Sequence, residues 1–456
     1  MKENEETTSA GNKANQSTDS PHAGRPASSG PAALGAADAT AAPHPQTHPQ
    51  TPTVRRGWPK EGWLLLFAVA ALAFNLRSPI VTIGPLVGMI RDDLGVSGSF
   101  MGFVTALPVL AFALFSPWAA RLGRRHGMEN VLVASLVVLM AGIALRSALP
   151  SPLTLVLGTA LLSAAIAMGN VLLPALAKRR LPEHVNLVVA LMTAGMLVSS
   201  TLAASIAVPL ARWQGWTWPL GIWMLTTGVA LVPWLRIRHL HRAAAPTGSA
   251  PTTRTPLNVW RIPAAWALSL YMGLQSLVFY AVVGFTPSVL QEKGLSAEQA
   301  GNLGALFQAV SLLGVVAVSW APVRGRGRQW LSVGISLTVL AGSLGLWLGS
   351  TGTQWLWVSL AGIGTAGVFS LCLMLFAERT DSPAEAAALS GMAQAVGYGI
   401  AAIGPLGVGV LYDLLGSWTQ TMGLLAALSL LECLLAWSSA SPKTLAQTLA
   451  DQRHGR

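Results

Sequence analysis

Arg77 is the residue of this sequence whose position most strongly implies chemistry. It is the only charged residue in the apolar run 63–89, 14 residues after Trp63 and 14 before Arg91. If this run crosses a membrane as a helix, each flank spans roughly 21 Å, which puts the guanidinium near the bilayer centre. A cation at that depth costs about 3 kcal/mol on insertion scales, so we expect it to face a cavity or a partner. Its permanent charge and planar fork suit an anion or a flat polar group.

The alternative for Arg77 is a structural ion pair inside the helix bundle. Glu432 is the acidic residue that lies well inside another apolar segment, and it is therefore the candidate partner. The two interpretations differ in whether the guanidinium is free to meet a solute, and the sequence leaves both open.

Two prolines and an asparagine are expected to support this site without touching a ligand. Pro79 has no N–H, so the carbonyl of Asn75 loses its helical partner and the helix should kink. Asn75 lies about 200° around an ideal helix from Arg77, which places the two on different faces. Pro174 frees a second carbonyl in the same way, four residues after Asn170.

Further polar residues interrupt other apolar segments: Asn170, Gln275, Tyr280, Gln394 and Tyr398. Gln394 and Tyr398 are spaced i, i+4 and so share one helix face. For each residue alone, an interhelical hydrogen bond of about 0.6–2 kcal/mol is the simpler interpretation. Because the set falls on three segments besides that of Arg77, we predict that these residues line one polar cavity and contact its ligand.

The segments that must position these residues are strongly apolar. Of the 456 residues, 52% are hydrophobic and only 10% are charged, against about 25% charged in soluble domains. Apolar runs of about 20 residues between short basic loops indicate transmembrane helices, and the shorter alternating segments of a β-barrel are absent. The predicted segments are 63–89, 98–119, 129–148, 152–176, 187–210, 217–235, 264–289, 299–320, 331–349, 353–377, 386–411 and 418–437.

The basic residues indicate how the chain is oriented. With the N-terminus inside, 24 of the 29 Lys and Arg residues fall on one side and four on the other, the remaining one being Arg77. The positive-inside rule then predicts an inner (plasma) membrane protein with both termini in the cytoplasm. Because the charge is spread over short loops, a nucleic-acid partner is not expected.

The two halves of the chain resemble each other. The string 116–121 after the second segment echoes 319–324 after the eighth, and this offset of 203 agrees with the 202 residues between Trp216 and Trp418. Two six-helix halves in one orientation are typical of transporters with a midplane site. The predicted organisation is a disordered cytoplasmic tail (1–57), an N-terminal six-helix bundle (58–236), a cytoplasmic central loop (237–262), a C-terminal six-helix bundle (263–438) and a cytoplasmic C-terminal tail (439–456).

Other chemistries have little support in the sequence. All eight histidines lie outside the apolar segments, Cys372 and Cys433 lie inside them, and no zinc, nucleophile or phosphate-loop motif occurs. We therefore expect no metal, no cofactor and no enzymatic activity. Proton coupling is left open, and it would have to use Glu432 or carboxylates near the segment ends such as Asp93, Glu378 or Asp413.

Several strings carry a family resemblance: residues 75–79 (NLRSP), 169–175 (GNVLLPA), 272–280 (MGLQSLVFY) and 389–394 (LSGMAQ). In these strings the chain resembles the major facilitator superfamily and, within it, the cyanate/nitroimidazole transporter family. The resemblance implies twelve helices, a central cavity that opens alternately to each face, and small polar or anionic substrates. It also implies cavity roles for Arg77, Asn170, Gln275, Tyr280, Gln394 and Tyr398.

The resemblance further implies a gate at the cytoplasmic face. Arg121, Arg124 and Arg125 follow the second segment, where they are expected to pair with Glu378 or with helix ends. The superfamily usually carries an aspartate before the first of these arginines, whereas this chain has Ala120. No acidic contribution to closure is therefore expected at this position.

Taken together, these features predict a secondary transporter that acts as a monomer in the lipid bilayer. Its expected substrate is a small anionic or polar organic solute, such as a cyanate-like anion, a carboxylate or a nitro-heterocycle. An exporter of drugs or toxic compounds with the same fold is the alternative. A non-transporting sensor is less favoured, because neither tail resembles a signalling domain.

Overall fold

The computed structural model describes residues 62–243, 257–323 and 325–454. The predicted tail 1–57 and the middle of the predicted loop 237–262 lie outside these ranges. The α-helices are α1 (Gly62–Asn75), α2 (Ser78–Val81), α3 (Val87–Leu94), α4 (Gly98–His126), α5 (Met128–Ala148), α6 (Pro152–Arg180), α7 (Val185–Gln214), α8 (Thr217–Gly221), α9 (Trp223–Ala243), α10 (Pro263–Glu292), α11 (Ala297–Trp320), α12 (Arg326–Leu348), α13 (Gln354–Glu378), α14 (Pro383–Leu415), α15 (Trp418–Ser439) and α16 (Leu445–His454).

Twelve stretches of the described chain are long and apolar enough to cross a membrane. The first, Gly62–Leu94, is made of α1, α2 and α3 together, and the last is α15. The prediction of an all-α membrane protein with twelve spans is confirmed. The sixth span runs further than predicted, because α9 continues to Ala243. Its added turns carry Arg236 and Arg238, and basic residues are favoured at a helix C-terminus.

Exposed tryptophans mark both ends of the spans. Trp63, Trp320 and Trp330 are 66–75% exposed where their helices begin or end on the side predicted to be cytoplasmic, which we call the inner face. Trp213 and Trp355 are 72% and 57% exposed at the opposite, outer face. Amphipathic rings at these two levels are typical of the two interfaces of a bilayer.

Glycines allow the spans of the second half to pack closely. A Cβ on Gly314 of α11 would lie 1.9 Å from the carbonyl oxygen of Ile363 in α13. In the same way, a Cβ on Gly273 of α10 would lie 2.8 Å from the side chain of Ile400 in α14. Small residues let helix backbones approach each other in membranes, where van der Waals packing supplies much of the association energy.

The two halves of the chain meet mainly along three helix pairs. Helix α14 packs against both α4 and α6, and α7 packs against α11. Each pair joins a span of the first half to a span of the second. A cavity between the halves therefore lies among these helices.

Candidate functional site

The first span is broken at Arg77. Helix α1 ends at Asn75 and α2 begins at Ser78, so Arg77 lies in the gap with φ −126° and ψ −42°. The kink expected from Pro79 is thus present, since its nitrogen cannot donate to the carbonyl of Asn75. The break turns the backbone at the depth where the guanidinium lies.

Hydrogen bonds to α9 hold the break in place. The Asn75 side-chain oxygen accepts from the hydroxyls of Thr226 (2.7 Å) and Thr227 (2.9 Å), and its amide donates to the Ala71 carbonyl at 2.8 Å. The Trp223 indole N–H donates to the Thr82 hydroxyl at 2.8 Å. Asn75 is fully buried by these contacts, and it supports the segment without lining the cavity. The threonines and Trp223 carry no sequence signal that would have selected them.

A cavity of about 220 Å³ lies between the two halves of the chain. Four of the predicted cavity residues line it: Arg77, Gln275, Tyr280 and Tyr398. Most of its wall is apolar. The apolar residues of the wall include Phe112, Phe279, Phe369, Met196, Val109 and Leu197.

The guanidinium of Arg77 is left without a charged partner. Among the described residues it has no ion pair and no hydrogen bond, and it lies over the ring of Phe279, whose centroid is 5.5 Å from Cζ. Glu432, the alternative partner, is fully buried between α15 and its neighbours and forms no ion pair with Arg77. The cation–π contact is worth about 0.5–2 kcal/mol, so an anion would bind the guanidinium more strongly.

Two pairs of aromatic rings line the same cavity as Arg77. Phe112 and Tyr398 have centroids 5.0 Å apart, and Phe279 and Tyr280 meet edge to face at 5.4 Å. Rings of this kind can pack against a flat molecule by offset or edge contacts. Gln275 completes the wall.

Gln275 is held in place by its neighbours in the second half. Its amide donates to the Thr365 carbonyl at 2.9 Å, and its oxygen accepts from the Ser276 hydroxyl at 3.2 Å. Both bonds use groups of the cavity wall, so the amide presents a fixed polar surface beside the guanidinium.

The other two predicted contact residues, Asn170 and Gln394, do not line this cavity. They are 2% and 1% exposed, and the Gln394 amide donates to the Ser390 hydroxyl at 2.9 Å. The side-chain oxygen of each has no hydrogen-bond partner. Gln394 lies between Gly391, whose added Cβ would be 2.9 Å from the Ser116 carbonyl, and Tyr398. It is therefore in the seam where α14 packs against α4, on the inner side of the cavity.

Pro174, expected to support Asn170, is likewise buried within α6. The helix continues past it to Arg180 without a break. The carbonyl that Pro174 leaves without a helical N–H partner therefore lies inside a continuous helix. Pro79, in contrast, lies just after a break between two helices.

A cation that the sequence did not single out joins the two halves near the inner face. The Lys178 ammonium, at the end of α6, donates to the carbonyls of Ala377 and Thr380 and lies 3.3 Å from the Thr380 hydroxyl. These groups belong to the end of α13 and the turn after it. The last carbonyls of a helix carry partial negative charge, so this contact ties the first half to the second.

The predicted gate residues take other positions. Arg121, Arg124 and Arg125 are exposed, and Arg121 lies over the Trp118 ring at 5.6 Å. Glu378 pairs with Arg328 of its own half at 2.7 Å. The pairing expected between the two halves is thus made by Lys178 in their place, because its helix ends beside α13 while α4 ends at the exposed edge.

Replacing Lys178 with methionine should open the inner end of the cavity. A charge-assisted hydrogen bond contributes about 1.5–3 kcal/mol, and each 1.4 kcal/mol is about tenfold in an equilibrium constant. In a variant whose two native cysteines are serine, we expect Ser116→Cys to react with a membrane-permeant maleimide at least about tenfold faster once Lys178 is methionine. Lys443→Met, which removes an exposed ion pair with Asp451, serves as the control. Equal labelling rates in Lys178→Met and Lys443→Met would show that Lys178 does not hold the two halves together at the inner face.

Comparison with known proteins agrees with this architecture. A sequence model of the Major Facilitator Superfamily matches residues 63–405. The 2-nitroimidazole transporter of Escherichia coli (strain K12) is 35% identical over 384 residues, covering 84% of this chain and 96% of that protein. The cyanate transport protein CynX of the same organism is 29% identical over 360 residues, with 78% and 91% covered. The solved structure of the proton:xylose symporter XylE has a TM-score of 0.69 at 13% identity and covers 85% of this chain.

The comparisons show the fold and the family separately. The likeness to the symporter shows the fold alone, with twelve helices in two halves of six. The match to the family extends over eleven of the twelve spans, and the two named relatives are matched over most of their length. The chain therefore belongs to the major facilitator superfamily, as a membrane transporter related to the cyanate and nitroimidazole transporters.

Proposed function

We propose that this chain is a secondary transporter that carries a small, flat anion or anion-like aromatic solute, with Arg77 as its anchoring group. The observation that carries the proposal is the guanidinium, which reaches the cavity between the two halves without an ion pair or hydrogen bond to any described residue. Arg77 is partly buried, and a cation inside a membrane span without a partner is costly, so a ligand that supplies the missing charge gains energy on binding.

The wall of the cavity narrows the class of solute. A cationic solute would be repelled by the positive charge of Arg77. A sugar would have few hydrogen-bond partners among the aromatic and aliphatic side chains. A carboxylate or nitro group offers two oxygens to the guanidinium fork, while an attached ring packs against Phe279 and Phe369. Tyr280, Tyr398 and Gln275 remain to hydrogen-bond ring substituents.

The names of the relatives support the same chemistry. One is a 2-nitroimidazole transporter and one a cyanate transporter. Both compounds are small and flat and present negatively polarised atoms to a guanidinium. A single arginine between aromatic rings accommodates either, which is the arrangement found around Arg77.

The conformation supports alternating access. Lys178 and the hydrogen-bond contact of 3.5 Å between Thr193 and Ser370 join the halves on the inner side of the cavity. Substrate released to that side therefore requires these contacts to separate, as in a rocking movement of the two halves. Import of an anion and export of toxic heteroaromatic compounds would use the same site. The two functions differ only in the direction of net transport.

Ligand-induced thermal stabilisation of the purified protein tests the proposal. We expect 2-nitroimidazole, cyanate and benzoate to raise the melting temperature, and arabinose and choline to leave it unchanged. At a concentration of 100 Kd a ligand stabilises the folded state by about 2.7 kcal/mol. Stabilisation by choline or arabinose alone would contradict the assigned charge class. Uptake and efflux of the stabilising compound in vesicles, with the pH gradient applied in each direction, then gives the transport direction and any proton coupling.

A further inference from the structure

A fully buried arginine of the first half, Arg146, contacts the broken segment that carries Arg77. It lies in the last turn of α5 and is 0% exposed. Its Nη2 donates to the carbonyl oxygen of Pro79 at 2.6 Å. Pro79 is the second residue after Arg77, so the third span reaches directly to the break in the first.

The Pro79 carbonyl needs a donor from outside its own helix. After the break, the Thr82 N–H bonds to Ser78 and the Ile83 N–H bonds back to Ile80. This tightening of the turn leaves the Pro79 oxygen without a backbone N–H among the described residues. A buried carbonyl of that kind is nearly always paired, and Arg146 supplies the donor.

Arg146 is a costly way to supply one donor. No acidic described residue pairs with it, and its Nε and Nη1 have no hydrogen-bond partner. The helices nevertheless accommodate it, since a Cβ on Gly158 of α6 would lie 2.7 Å from the Arg146 Cβ. Burying a cation whose only hydrogen-bond partner is a carbonyl oxygen is unfavourable. This cost indicates that Arg146 has a role beyond filling space between the helices.

We infer that Arg146 is a positioning residue for the substrate site. It fixes the broken segment from the α5 side, while Thr226 and Thr227 fix Asn75 from the α9 side, and Arg77 is held between these two anchors. Without either set of contacts, the turn at Leu76 and Arg77 can move, and the guanidinium is no longer held in a single orientation toward the cavity. This inference rests on the proposed role of Arg77.

The anchor itself is tested without any ligand. In Arg146→Met we expect amide hydrogen exchange over residues 76–83, followed by mass spectrometry, to be about tenfold faster than in the wild type. Arg146→Lys, which keeps a buried donor, should recover part of the protection. Arg212→Met, at an exposed outer arginine, should leave exchange in 76–83 unchanged. Unaltered exchange in Arg146→Met would overturn the inference, whatever the substrate is.

The action through Arg77 is tested with benzoate as the probe. Arg146→Met should weaken benzoate binding by about 10- to 100-fold in the wild-type background and by less than about twofold in an Arg77→Ala background. Equal losses in both backgrounds would show a general structural role and contradict positioning. If Arg77→Ala alone does not change benzoate affinity, the proposed function fails while the exchange result still decides the anchor.

Discussion

Replacing Arg77 with alanine is expected to lower uptake of the transported anion by at least about 100-fold. The guanidinium offers two charge-assisted hydrogen bonds to a carboxylate or nitro group, each worth about 1.5–3 kcal/mol. Nothing else on the cavity wall carries positive charge, so no described residue there replaces it. Initial rates of uptake into proteoliposomes, with ligand affinity measured on the same preparation, give the loss in transport and in binding.

Two further variants make the Arg77 result specific. Arg77→Lys keeps the charge but loses the planar fork, so it should retain weak transport with a higher KM. Arg91→Ala, at an exposed arginine beside Asp92 on the outer face, should transport like the wild type. Normal uptake by Arg77→Ala in correctly folded protein would remove this residue from the substrate site.

Replacing Gly314 with alanine is expected to destabilise the protein strongly, because the added methyl group meets backbone atoms that cannot turn aside. The new carbon would lie 1.9 Å from the carbonyl oxygen of Ile363 and 3.1 Å from the Gly367 nitrogen. Both atoms belong to α13, so α11 and α13 must move apart along their contact. Overpacking of this kind costs about 1–3 kcal/mol and occasionally more, and we expect the upper end.

The same helix supplies the matched control for Gly314. Gly304→Ala adds a carbon with no atom within 4 Å, and alanine is about 1 kcal/mol better than glycine in a helix. Thermal unfolding in detergent should therefore show a lower melting temperature for Gly314→Ala and an unchanged or higher one for Gly304→Ala. Similar values for the two variants would contradict the close contact between α11 and α13.

The sequence predicts those features that depend on local chemistry. The spacing of Arg77 within its apolar run predicted its depth, and the missing N–H of Pro79 predicted the break beside it. Gln275, Tyr280 and Tyr398 could be assigned to the cavity because a polar group inside an apolar span must face something other than lipid. That rule does not distinguish a cavity from a closed seam, which is why Asn170 and Gln394 were grouped with them.

Features that depend on packing between distant spans could not be predicted. Lys178 was one of three adjacent basic residues, and only the position of α13 shows which of them reaches across. Arg146 counted as one outer positive charge, yet it is buried, because its burial depends on how α5 meets the break in the first span. Glu432 was a reasonable partner for Arg77 by depth alone, but it lies inside the second half.

Asn170 and Gln394 are buried in α6 and α14, two helices that pack against each other, and the side-chain oxygen of each has no hydrogen-bond partner among the described residues. Each unsatisfied oxygen raises the energy of the present arrangement by about 1–3 kcal/mol, and water entering an opened seam would remove that penalty. The unpaired oxygens of Asn170 and Gln394 thus disfavour the present arrangement of the helices, whereas the hydrogen bonds of Lys178 favour it. Under the proposed rocking movement, we expect the two orientations of the halves to be closer in free energy, so that a modest preference of the solute for one of them shifts their populations.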